Sequence, residues 1–144
     1  MLMSLDNLTG KTLERITPDS AGINRLINAA QRNIVDAKIA QLSAEGRFDA
    51  AYRAIMQLAN AALQACGYRT LTSVPGHHQT MIQSLVKTVG IERETIIVLD
   101  TMRKQRNVAD YSGDLIPEST VKECIEQAEA LFLKVSAWLQ ERKT

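Results

Sequence analysis

Apolar residues recur at three- and four-residue steps along almost the whole chain and alternate nowhere for more than a few positions. That period is the signature of amphipathic helices, because side chains three and four apart share one helical face. Ile23, Leu26, Ile27, Ala30, Ile34 and Ala37 give a first stripe ending near Leu42, with Asp19 or Ser20 placed to cap its free N–H groups. A second helix runs from about Arg47 to Cys66, its inner side Phe48, Ala51, Tyr52, Ile55, Ala59, Ala62 and Leu63, with Gly67 as its stop. A third is expected from His77 to Gly90 and a fourth from Glu92 to Asp110. A fifth starts near Ser119, where Thr120 and Glu123 have capping-box spacing, and Arg142 and Lys143 suit its negative end. The loop 67–76, with β-branched residues and Pro75, has room for a short extended piece but is not read as a sheet. The expectation is an all-α fold of about five helices in one domain over residues 1–144, led in by a polar segment, 1–18.

Composition narrows the function classes. With 45% hydrophobic and 23% charged residues in 144, the chain can bury one ordinary core. Its net charge of +1 excludes a global basic field for nucleic acid, although residues 47–111 carry eight positive against five negative side chains. Aromatics are only 4%, a thin supply for base stacking. Cys66 and Cys124 sit in apolar helical patterns as two reduced thiols. The start at Met1-Leu2-Met3 has neither basic lead nor apolar run, so no signal peptide is expected, and no stretch is long enough for a membrane span. A cytoplasmic protein is expected. His77-His78 has no Cys or Glu partners at ligand spacing, and no Walker, dinucleotide or nucleophile-elbow motif occurs. Neither metal nor cofactor is expected.

The fourth helix carries the chemistry. At 100° per residue, Ile96 and Leu99 project within roughly 40° of Arg103, with Arg106, Asn107 and Asp110 in or beside that stripe. A line that begins apolar therefore ends in charges, and a buried charge costs several kcal/mol unless paired. Two explanations stand. Arg103 and Arg106 form an ion-pair ladder with Asp100 and Asp110, or the helix end enters a cleft where guanidinium groups grip phosphate, with Asn107 and Tyr111 as neutral hydrogen-bonding neighbours.

The run Arg103-Lys104-Gln105-Arg106-Asn107-Val108-Ala109-Asp110-Tyr111 resembles the signature segment of HEPN domains, small helical proteins widespread in bacteria and archaea. Gly46-Arg47-Phe48-Asp49-Ala50-Ala51-Tyr52, Gly67-Tyr68-Arg69 and Gly76-His77-His78 follow the same order as in that family. The resemblance implies an up-and-down bundle forming a homodimer whose Arg segments share a cleft. It also implies an RNA or nucleotide ligand, and a toxin–antitoxin or phage-defence role with a nucleotidyltransferase antitoxin as partner. In ribonuclease members an Arg and a polar residue are followed by a His. Arg106 and Asn107 match the first half, whereas the His position falls at Tyr111.

Tyrosine, with a pKa near 10, is a poor proton acceptor at neutral pH. The substitution therefore favours binding over catalysis. Phosphate-binding candidates are Arg103, Arg106, Asn107 and Asp110; catalytic candidates are Arg106 and Tyr111. The alternatives are an active metal-independent endoribonuclease, with Tyr111 or His77/His78 moving the proton, and a non-enzymatic dimeric interaction module.

Overall fold

The structure is a computed structural model and describes residues 4–142. The expectations attached to Met1–Met3 and to Lys143 lie outside those residues. Five helices make up the bundle: α1 (Ser20–Ala37), α2 (Ala44–Ala65), α3 (His77–Ser84), α4 (Arg93–Ser112) and α5 (Glu118–Arg142). No helix among the described residues is long and apolar enough to cross a membrane.

α2 is the central helix, packing against α1, α3, α4 and α5. Its alanines let neighbours approach closely, and Phe48, Ile55, Leu58 and Leu63 fill the space between them. Between Phe48 and Leu63 the residues left uncovered are Asp49, Arg53, Gln57 and Asn60. Their spacing of four, four and three places them in one polar stripe on an otherwise buried helix. Ser43 caps α2 by accepting from Gly46 N at 3.0 Å, three residues ahead of the start expected from the apolar pattern. Arg47 fastens three elements, donating to Ala37 O at 3.1 Å and pairing with Glu118 at 3.0 Å.

Several boundaries differ from the periodicity. α1, capped by Asp19, stops at Ala37 rather than near Leu42. α3 stops at Ser84, whose hydroxyl donates back to Met81 O at 2.7 Å, and the chain reaches Gly90 in turns. Leu85 stays buried there, which prolonged the apolar pattern past the helix. α5 starts at Glu118, with the Pro117 carbonyl accepting from Thr120 N and Val121 N. Thr120 therefore lies inside the helix, and the Thr120–Glu123 capping box does not form at its start.

The polar lead is structured. A 3-10 turn over Leu5–Leu8 precedes strand β1 (Leu13–Arg15), which pairs antiparallel with β2 (Tyr68–Thr70), Leu13 opposite Thr70. This small sheet corrects the expectation of none. Leu13 is fully buried in the core. Gly67, at φ +89°, makes the turn from α2 into β2, a left-handed conformation that glycine adopts without steric penalty. Arg15 and Tyr68 both reach Asp6, and Arg69 pairs with Glu14.

Candidate functional site

α4 carries its apolar side inward through Leu99 and Met102, both buried. Beyond them the inward line turns polar, as the sequence stripe required. Arg103 donates to Asp100 at 2.8 Å, and Lys104 lies 3.5 Å from the other oxygen of that carboxylate. The Arg103 hydrogen bond holds the Asp100 carboxyl below its usual range. This is half of the expected ladder. Arg106 takes a different partner: its Nε lies 3.6 Å from Asp49 Oδ1 on α2, and not against Asp110.

That contact is an ion pair without a hydrogen bond, so the buried Nε–H of Arg106 has no hydrogen-bond partner. The guanidinium carbon lies 5.2 Å from the centre of the Tyr52 ring, a cation–π arrangement that fixes its plane. Tyr52 is 2% exposed, so its polar tip is turned away from solvent. Its hydroxyl shares a 3.2 Å hydrogen bond with His78 Nδ1. Burial pushes the phenol up to about 12 despite the nearby arginines, so it remains an O–H.

Together these side chains line a cleft of about 250 Å³ between the polar stripe of α2, the start of α3 and the end of α4. Asp49, Tyr52, Arg53, Asn60, His78 and Arg106 face it. Burial lowers the His78 pKa below 6.5, and His77, Arg106 and Arg103 lower it further, so the ring is neutral at pH 7. Burial raises the Asp49 carboxyl; Arg106 opposes that and Asp110 adds to it. A neutral imidazole beside an under-satisfied guanidinium can accept a proton next to a bound anion.

Of the residues expected from sequence, the structure brings Arg106 into this cleft; Arg103 is tied to Asp100 and does not line it. Asp110 is exposed and contributes only its charge near Asp49. Asn107 and Tyr111 line a separate shallow depression with Val108 and Ser112, and Tyr111 is 92% exposed. Within one subunit, then, the tyrosine at the family's His position is absent from the Arg106 cleft, whereas His78 lines it. Asp49, Tyr52, Arg53 and Asn60 were not among the expected site residues, although Asp49 and Tyr52 lie in the family-like run 46–52. The signal available was the polar stripe 49, 53, 57, 60 cutting through an Ala-rich helix.

Among the described residues no group of three or more His, Cys, Asp or Glu side chains could hold a metal ion. Cys124 is buried, its thiol pushed up to about 12 by burial, while Cys66 is half-buried; both are free. The family model of the HEPN domain matches residues 23–138. No curated protein matches the chain.

Proposed function

Because the chain belongs to the HEPN domain family, we propose that its Arg106 cleft binds the phosphate of an RNA or a nucleotide in the cytoplasm. The observation that carries this is the buried Arg106 Nε–H with no hydrogen-bond partner. A buried donor left unmade costs about 1–3 kcal/mol, and a turn of the Arg106 side chain toward an anionic oxygen in the cleft removes that cost. The neutral Tyr52–His78 pair beside it adds polar groups without opposing charge. Arg106→Ala should weaken binding of a labelled ribo-oligonucleotide about tenfold to a hundredfold, the value of a charge-assisted hydrogen bond. Unchanged affinity by fluorescence anisotropy would refute the assignment.

A second reading, metal-independent endoribonuclease activity, is favoured by one observation: His78, neutral and partnered at Nδ1, lines the same cleft. In it His78, rather than Tyr111, accepts the proton of a ribose 2′-hydroxyl while Arg106 holds the phosphate. Cleavage of a cellular RNA pool in EDTA, abolished in His78→Gln, tests it. We assign the homodimer to the outer face of α4, where Ile97 and Val108 are exposed. Val108→Glu should then give a monomer by analytical ultracentrifugation. The exposure of Tyr111 supports a toxin–antitoxin or defence role in which a nucleotidyltransferase partner modifies its phenol. If the dimer persists and no RNA binds, the chain is an interaction module.

A further inference from the structure

The Arg106 cleft does not end at α2. A second depression lies on the other side of that helix, between it and α1, and Arg53 and Gln57 line both. Arg32, Asn33 and Asp36 of α1 complete the second one. The two meet across the α2 ridge, so a polar path runs from Arg106 past Asn60, over Arg53 and Gln57, to Arg32.

The amide side chains on this path are oriented by their own bonds. Asn60 Oδ1 accepts from Gln64 Nε2 at 3.1 Å, and Gln57 Oε1 accepts from Asn33 Nδ2 at 2.8 Å. Each carbonyl oxygen thus already accepts one hydrogen bond, which turns the –NH₂ groups of Asn60 and Gln57 into donors for a ligand. Arg32 and Arg53 are exposed and have no ion pair among the described residues. Three guanidinium groups and two amide donors thus follow one another, a lining suited to a chain of anionic acceptors. The acceptors that share the second depression, Asn33 Oδ1 and the Asp36 carboxylate, suit ribose hydroxyls rather than phosphate.

We infer that the ligand of the Arg106 cleft is a single-stranded oligoribonucleotide rather than a mononucleotide, with a neighbouring stretch of its backbone held across α2 by Arg53, Gln57 and Arg32. This rests on the phosphate-binding reading of the cleft and extends it by a second, separable contact region.

The test compares a uridine dinucleotide with an octauridylate by fluorescence anisotropy across a salt series. Each lost phosphate contact on a single strand reduces the slope of log K against log salt by about 0.7. Arg32→Gln/Arg53→Gln should therefore reduce the octamer slope by about 1.4, making binding about sevenfold less salt-sensitive between 50 and 200 mM. Arg32→Gln alone should leave dinucleotide affinity unchanged. If the octamer binds no tighter than the dinucleotide, or the double variant keeps the wild-type slope while Arg106→Ala abolishes binding, the extended groove is wrong and the cleft stands. If the double variant loses octamer binding and Arg106→Ala does not, the groove stands and the cleft reading falls. Failure of the wild type to bind either probe overturns both.

Discussion

Asp49 competes with any anion for Arg106, so Asp49→Asn should tighten ligand binding. The pair sits at 3.6 Å, where unit charges attract by about 4–5 kcal/mol gross at an effective dielectric of 20. Both side chains are substantially exposed, 34% for Arg106 and 43% for Asp49, and screening reduces such pairs to about 0.2–1 kcal/mol net. A bound phosphate loses a term of that size through competition and another through repulsion by the carboxylate. Removing both should tighten a diester probe between about twofold and thirtyfold. Titration of the uridine dinucleotide into both proteins measures this directly. The gap should narrow as pH falls toward the Asp49 carboxyl, which burial raises above its ordinary 3.8, because protonated aspartic acid imitates asparagine. A raised folded pKa also means that the ionised form opposes folding at neutral pH, so the variant should melt no lower than wild type. Equal or weaker binding by Asp49→Asn would show that the carboxylate positions Arg106 instead of occupying it.

Leu13 is fully buried in the core, and Leu13→Ala should cost about 2–5 kcal/mol, lowering Tm by roughly 5–20 °C in calorimetry. A shift under about 2 °C would mean that the lead does not share the core. His78, whose folded pKa is depressed by burial from 6.5, contributes stability that is fully present above 6.5 and lost as pH falls through its folded value. Melting temperature should therefore decline below pH 6.5 in wild type and decline less in His78→Gln; parallel declines would remove His78 as the cause.

The helices were legible because burial on one face imprints a period that survives without knowledge of the neighbours. α2 shows the limit of that signal: its inner residues were visible, but the meaning of Asp49, Arg53, Gln57 and Asn60 depends on α3 and α1 lying along their two sides. Tyr52 was legible as an inner residue of α2, and only the seating of His78 on it gives its hydroxyl a buried partner. The α4 stripe correctly marked a change from core to polar surroundings at Arg103 and Arg106. It could not choose Asp49 over Asp110 as the partner of Arg106, since one is on another helix. Of the β1–β2 pair only the β-branched residues after Gly67 left a trace, because three-residue strands have no period to detect and Leu13 meets Thr70 from far along the chain.

That separation has a bearing on the order in which the molecule assembles. Closing the unstructured loop between Arg15 and Tyr68 costs about 3–4 kcal/mol of chain entropy, more than three residues of ladder return. Packing of α1 against α2 removes most of that cost by bringing the two ends together beforehand. The strands therefore join late, and with them the segment after Thr70 that leads into α3 and His78. On this ordering the α1–α2 part of the core forms before Leu13 is added to it. Native-state hydrogen exchange tests this order: the strand amides should exchange before those of α2, and equal protection would refute it.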